Sequence, residues 1–217
     1  FNMANTVGTT TLNNTSSIGT LNLTNVPNVV ALGVVNVNNQ LTDVAYSAAS
    51  ITGLNDVQTI SLNNASNAAN IDLNVGAVET ISITTTGKAS NVTLDNTDAI
   101  TTLNVAGDQN LQLAFLSSDT GGANVGPDAL ATVNASTFTG NLILDASTNV
   151  VASDMSVTTG TGDDAVTFNN LTQADSFDLG IGADTLNLTV AADVTNAVVF
   201  TGIETLKINA GGAATIN

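Results

Sequence analysis

The fold is decided by a repeated hexapeptide, apolar-x-Thr-apolar-x-apolar, which reads Val57-Gln58-Thr59-Ile60-Ser61-Leu62, Val78-Glu79-Thr80-Ile81-Ser82-Ile83 and Ile100-Thr101-Thr102-Leu103-Asn104-Val105. Apolar and polar residues alternate in each copy, which is the period of a half-buried strand. The copies return after about 21 residues, and a shorter alternating segment lies between them. Because this spacing leaves no room for crossover helices, the sequence predicts an all-β fold, a parallel β-solenoid (β-helix or β-roll) with about 21 residues per coil.

An antiparallel β-sandwich is the alternative, since it also has short strands at this spacing. The fixed return of the strands, an aromatic content of 3% and the presence of only two prolines favour the solenoid. We expect about ten coils, stacked at roughly 4.8 Å per coil.

The chain divides by the regularity of its repeat. We predict less regular N-terminal coils over 1–55, regular coils over 56–113, an inserted loop over 114–129, and coils with glycine-rich corners over 130–217. The loop is predicted from its Ser, Gly, Asp and Pro content, which interrupts the alternation.

The charge balance excludes several classes of function. The 217 residues include 18 acidic and two basic side chains (Lys88 and Lys207), and there is no Arg, His or Cys, for a net charge of -16. Such a chain cannot neutralise a row of phosphates, so we predict no nucleic-acid binding. It also lacks an apolar run of the roughly 20 residues that span a bilayer, so we predict no membrane insertion. Catalytic triads that need His and metal sites that need imidazole or thiolate are ruled out.

Two glycine-rich segments share one pattern, Gly-x-Gly-x-Asp-x-apolar. They are Gly160-Thr161-Gly162-Asp163-Asp164-Ala165-Val166 and Gly180-Ile181-Gly182-Ala183-Asp184-Thr185-Leu186. The two copies lie about one coil apart, so we expect Asp164 and Asp184 to be superposed at one corner of the solenoid. Two carboxylates one strand spacing apart repel each other by roughly 3 kcal/mol at an effective dielectric near 20.

This pattern resembles the nonapeptide of RTX proteins, Gly-Gly-x-Gly-x-Asp-x-apolar-x, with Thr159 and Leu179 in place of the first glycine. The resemblance implies that one Ca²⁺ lies between the loops of successive coils, bound by glycine carbonyls and aspartate carboxylates. Carried over to this chain, the ligand candidates are Gly160, Gly162, Asp163, Asp164, Gly180, Gly182 and Asp184. Calcium takes six to eight oxygen ligands at roughly 2.3–2.6 Å, and these residues supply oxygen.

Alternatives remain open at these positions. The two segments are also consistent with plain turns that bind no metal. Asp163 is either an extra ligand or a solvated charge, because Ala183 stands at the matching position. We expect a polar corner at Asp95-Asn96-Thr97-Asp98, with calcium ligation as the alternative, and solvated side chains at Asp175, Asp178 and Asp193.

The lysine-poor, cysteine-free, Asn- and Thr-rich composition resembles the surface-layer (S-layer) proteins of Gram-negative bacteria that carry RTX repeats and leave by type I secretion. The resemblance covers most of the chain in composition, and residues 159–188 as a definable motif. It implies a secreted structural protein that assembles with copies of itself into a calcium-dependent lattice at the cell surface. The final coil, near Ile208 to Ile216, and the 114–129 loop are candidate contact surfaces.

The alternative function is a calcium-dependent RTX adhesin, in which this chain is a binding module or stalk. We expect no enzyme activity, because the β-helical lyases that also use calcium generally need an Arg, Lys or His base, and neither lysine lies near the glycine-rich segments. The chain opens at Phe1 without a signal-peptide pattern, so we expect it to be a segment of a longer protein whose other domains are its neighbours.

Overall fold

A computed structural model describes residues 1–6, 8–67, 69–72, 78–95, 97, 99–116, 129–148, 154–169, 171, 174–190, 193–194, 198–211 and 215. The strands of the first half are β1 (Thr11–Thr15), β2 (Leu21–Val26), β3 (Ala31–Val35), β4 (Thr42–Tyr46), β5 (Val57–Asn63), β6 (Ala69–Asp72), β7 (Thr80–Thr85), β8 (Ser90–Asp95) and β9 (Thr102–Gly107). Those of the second half are β10 (Leu111–Phe115), β11 (Thr132–Asn134), β12 (Leu142–Ala146), β13 (Ser156–Thr158), β14 (Ala165–Asn169), β15 (Ser176–Asp178), β16 (Thr185–Val190), β17 (Val199–Thr201) and β18 (Thr205–Ala210). A single 3₁₀ turn, Ala48–Ser50, is the one helical element among the described residues.

The strands form two parallel sheets. One contains the nine odd-numbered strands in chain order and the other the nine even-numbered strands, so each coil adds one strand to each sheet. The predicted parallel β-solenoid is confirmed, and the antiparallel sandwich is excluded because every pair of named strands is parallel. Nine strands per sheet at roughly 4.8 Å give a rod about 40 Å long.

Two coils are longer than the rest, and they explain why there are fewer coils than the ten expected. In the first, Leu32 pairs with Ile60, and in the second, Thr102 pairs with Thr132. Both pairs are further apart along the chain than Thr80 and its partner Thr102, which belong to a coil of ordinary length. The second long coil contains the predicted 114–129 insertion. Residues 114 and 115 lie in β10, and residues 117–128 lie outside the described residues.

The core lies between the two sheets. Inward residues such as Ile60, Leu62, Ile81 and Ile83 are buried, and their neighbours along each strand face outward. Parallel in-register stacking therefore places apolar side chains over apolar ones, and all the buried apolar residues form one cluster. Near the C-terminal end phenylalanines widen this core, with ring centroids 5.7 Å apart for Phe168 and Phe177 and 6.0 Å apart for Phe177 and Phe200.

Asparagine shapes several corners. Asn36 and Asn64 have φ near +53° and +57°, in the left-handed region that Asn tolerates better than most residues. They also stack: the Asn64 Nδ2 donates to the Asn36 Oδ1 at 2.9 Å. The same contact joins Asn67 to Asn38 at 2.7 Å. Asn therefore supplies both the backbone bend and a hydrogen bond between coils.

Candidate metal centre

The structure brings Asp164 and Asp184 together at one corner. Asp164 directly precedes β14 and Asp184 directly precedes β16, and the register pairs Ala165 with Thr185. The two aspartates therefore occupy the same position in successive coils, at the start of strands of the even-numbered sheet.

One oxygen of each aspartate joins its coil to the preceding one. The Leu142 N–H donates to the Asp164 Oδ1 at 2.8 Å, and the Asp164 N–H donates to the Asp184 Oδ1 at 2.7 Å. The Asp184 N–H in turn donates to the Glu204 Oε2 at 2.7 Å. Asp164, Asp184 and Glu204 thus form an acidic ladder in which each carboxylate accepts a backbone N–H from one coil earlier. Hydrogen bonds to a charged acceptor are the stronger kind.

Sequence reasoning missed Glu204 as a member of this ladder. The signal was present, because Glu204-Thr205-Leu206 repeats Asp184-Thr185-Leu186 at the same 20-residue distance that separates Asp184 from Asp164. The apolar alternation around Glu204 predicts only a strand.

The other oxygen of each aspartate has no partner. Asp164 and Asp184 are each 1% exposed, and within the part of the chain that the structure describes neither Oδ2 has a hydrogen-bond partner. The nearby Thr159 hydroxyl donates instead to the Leu179 carbonyl at 2.6 Å. A buried charged oxygen without a partner is costly, so this corner favours either a proton or a cation.

Burial is the main cause of a raised pKa at both groups. The pKa of Asp164 is raised mainly by burial and also by the charge of Asp163, while the hydrogen bond from the Leu142 N–H and the nearby polar groups of Thr159 and Gly160 lower it. The pKa of Asp184 is raised by burial and by the charges of Asp164, Glu204 and Asp163, against the hydrogen bond from Asp164. Both carboxyl groups are therefore harder to ionise than an exposed aspartate.

The four predicted glycines allow close stacking of the corner. A Cβ on Gly160 would lie 1.8 Å from the Phe138 carbonyl oxygen, and one on Gly180 would lie 2.0 Å from that of Gly160. Gly162 and Gly182 form a second column, in which a Cβ would lie 2.2 Å from the Gly140 oxygen and 2.1 Å from the Gly162 oxygen. Backbone thus rests directly on backbone at this corner.

Asp163 lies in a neighbouring column whose hydrogen bonds run in the opposite direction to those of the acidic ladder, from a backbone N–H to a side-chain oxygen of the preceding coil. Its exposed side chain accepts the Ala183 N–H at 2.9 Å, while its own N–H donates to the Asn141 Oδ1 at 3.1 Å. The Asn110 Oδ1 likewise accepts the Asn141 N–H at 2.9 Å. Asp163 therefore continues an asparagine column, and its Oδ1 is committed to the backbone.

Among the described residues, no three acidic side chains converge on one point as metal ligands. A cation at this corner would be held by the free oxygens of Asp164 and Asp184, with carbonyl oxygens and water completing its shell. This donor set suits calcium, which accepts irregular oxygen shells. The plain-turn alternative explains the Oδ1 contacts but not the two free Oδ2 atoms.

The remaining acidic residues vary in exposure. Asp175 is 0% exposed, and its Oδ1 accepts the Met155 N–H at 2.7 Å, so the expectation of a solvated side chain was wrong. Asp175 is buried because it makes the same kind of contact between coils as the members of the acidic ladder. Glu79 makes this contact too, with the Asp56 N–H at 2.8 Å. Asp193 is exposed and Asp178 half-buried. Of the predicted polar corner, Asn96 and Asp98 lie outside the described residues.

No protein-family model, curated protein or solved structure matches this chain. The described residues include no helix of the length and apolar character that crossing a membrane requires.

The raised pKa values predict a pH-dependent stability in calcium-free buffer. Between the ordinary aspartate value of 3.8 and the raised values, the folded chain holds protons that the unfolded chain has lost. The stability contributed by Asp164 and Asp184 is therefore present below pH 3.8 and is lost as the pH rises through the raised values. Urea unfolding at a series of pH values should show this decline, and the double variant D164N/D184N should flatten it. Parallel pH profiles for the two proteins would contradict the assignment.

Proposed function

We propose that this chain is a structural segment of a secreted bacterial surface protein, a β-solenoid that calcium stiffens and that assembles with copies of itself into a surface layer. One observation carries the proposal. Two buried carboxylates are superposed one coil apart, and each keeps one oxygen to which no described residue makes a hydrogen bond. A divalent cation between Asp164 and Asp184 turns their repulsion into attraction.

Calcium binding would then contribute to folding. In its absence burial disfavours the ionised form of both carboxyl groups, and in its presence the ionised groups would join successive coils through the ion. Asp164 and Asp184 would bind the ion, while Glu204, which accepts the Asp184 N–H, would hold Asp184 in position. We assign no catalytic role to these residues.

The distribution of charge supports association between copies. In the odd-numbered strands Asp178 is the one charged residue, and the outward positions are mostly Thr, Ser and Asn. The even-numbered strands carry Asp43, Asp72, Asp95, Asp145 and Lys207. A chain of net charge -16 meets the least repulsion from a second copy through the outer face of the odd-numbered sheet, where Asp178 is the one charged residue of the strands.

The last strand supplies a second contact surface. All six residues of β18 are exposed, and Ile208, in register with the buried Leu188, is 50% exposed. Unpaired strand edges with exposed apolar side chains tend to pair with further strands. Either another domain of the parent protein or a second copy would cover this end.

Electron microscopy of the full-length protein, with calcium and with a chelator, tests the proposal. We expect ordered sheets in calcium and dispersed particles in the chelator. Calcium-ordered single filaments that never form sheets would favour the adhesin stalk instead. Identical particles under both conditions would overturn the calcium-dependent function.

A further inference from the structure

The register stacks a second set of aspartates, far from the glycine-rich corner. Asp43 in β4 pairs directly with Asp72 in β6, and Asp72 pairs directly with Asp95 in β8. All three lie at outward positions, since they are adjacent along their strands to the buried Val44, Ile71 and Leu94. Neighbouring carboxylates in this aspartate column are thus about one strand spacing, roughly 4.8 Å, apart.

Asp43 is the buried member of the column, at 9% exposure. The Asn22 Nδ2, in the preceding coil, donates to the Asp43 Oδ2 at 2.7 Å. No described residue makes a hydrogen bond to the Oδ1. Asp72 and Asp95 have interactions of their own with the protein. A cation would therefore be attracted by the Asp43 Oδ1 and by the negative charge of the two neighbouring carboxylates.

The protein has few positive charges to offset this column. Lys207 lies at the far end of the same sheet, in β18, and Lys88 follows β7 in the other half of the coil. Burial raises the pKa of Asp43.

We propose that Asp43 and Asp72 bridge a divalent cation on the outer face of the even-numbered sheet. The free Oδ1 of Asp43 supplies one ligand and the Asp72 carboxylate another, while Asp95 adds negative charge one coil further on. Water completes the shell, because no three acidic side chains among the described residues converge on one point. With so few protein ligands the site is weak, with a dissociation constant of about 10⁻⁴–10⁻³ M.

Tyr46 makes this site measurable separately from the glycine-rich corner. It is the one Tyr in a chain without Trp, so it is the one strong donor of excitation energy to bound Tb³⁺, a luminescent substitute for Ca²⁺. Asp43 is three residues from Tyr46 on the same strand, or about 10 Å. Asp164 precedes β14, five strand spacings from β4 or about 24 Å. Energy transfer falls steeply with distance, so it reports the nearer site.

The experiment is a Tb³⁺ titration of the intact chain with Tyr excitation. We expect saturable emission that excess Ca²⁺ displaces, and at least about tenfold weaker binding in D43N/D72N and in the single variant D72N. The matched control is D145N, because Asp145 lies on the same face between Ala114 and Thr167 without an acidic neighbour in register. D145N should give the same Tyr-sensitised emission as the wild type, and circular dichroism checks that each variant is folded.

Three outcomes would overturn the inference: no sensitised emission in the wild type, emission unchanged in folded D72N, or emission lost equally in D145N. The first would mean that the hydrogen bond from Asn22 suffices to stabilise Asp43. Loss of emission in D164N/D184N but not in D72N would place the ion at the glycine-rich corner, which contradicts this site while leaving the proposed function intact.

Discussion

Saturating calcium should raise the free energy of unfolding of the wild-type chain by about 2.7 kcal/mol at a hundredfold excess over the dissociation constant. For a chain of this size that is a rise of roughly 5–10 °C in Tm. The double variant D164N/D184N should lose most of this rise, because asparagine can still accept the coil-joining N–H but cannot bring a negative charge to the ion. Differential scanning calorimetry at neutral pH, with calcium or with a chelator, measures the effect.

The same variant gives a second, opposite expectation without calcium. The substitution removes two carboxyl groups whose ionised form burial disfavours, so the calcium-free variant should be no less stable than the calcium-free wild type. The control is D108N, which alters an exposed acid at the corner of an earlier coil and should leave the calcium response unchanged. An equal calcium response in D164N/D184N and in the wild type would show that the ion binds elsewhere.

Gly180→Ala should be the most damaging single substitution at the corner. Gly180 has φ of +80°, which alanine rarely adopts, and its Cβ would lie 2.0 Å from the Gly160 carbonyl oxygen. The added Cβ is fixed to one backbone segment and the carbonyl oxygen belongs to another, so neither atom can move aside without a large cost in free energy. We expect a loss of about 3–5 kcal/mol and a Tm lowered by roughly 10 °C, measured by thermal unfolding.

Gly19→Ala is the matched control for this substitution. A Cβ on Gly19 has no atom within 4 Å, and its φ lies outside the left-handed region. Its effect should stay within about 0.5 kcal/mol. If the two variants unfolded at similar temperatures, the backbone stacking at Gly160 and Gly180 would not be a source of stability.

The solenoid and the superposition of Asp164 on Asp184 could be predicted because both depend on a constant repeat. Alternation identified the strands, and two matching motifs one coil apart identified the corner. Glu204 was missed because its segment departs from the motif. Phe200 stands where the spacing would repeat Gly180, and a glutamate replaces the aspartate, although Glu204 keeps the 20-residue offset from Asp184.

The aspartate column could not be found from a fixed period. Asp43 and Asp72 are further apart along the chain than Asp72 and Asp95, because the first long coil lies between β4 and β6. The burial of Asp175 could not be predicted either. A lone aspartate at the start of a strand has the same sequence context whether it faces water or accepts a backbone N–H of the previous coil. Because coil length varies, the strand register cannot be read from a fixed period, and the register decides which acidic side chains stack on one another.

The acidic ladder gives the rod a polarity. The Asp164 carboxylate accepts the Leu142 N–H, the Asp184 carboxylate accepts the Asp164 N–H, and the Glu204 carboxylate accepts the Asp184 N–H. Each winding is therefore finished by the one that follows it. If the chain folds from its amino end, the N–H of each coil at this corner gains its carboxylate acceptor only when the next coil has formed. The most recently folded coil therefore always lacks one of these hydrogen bonds.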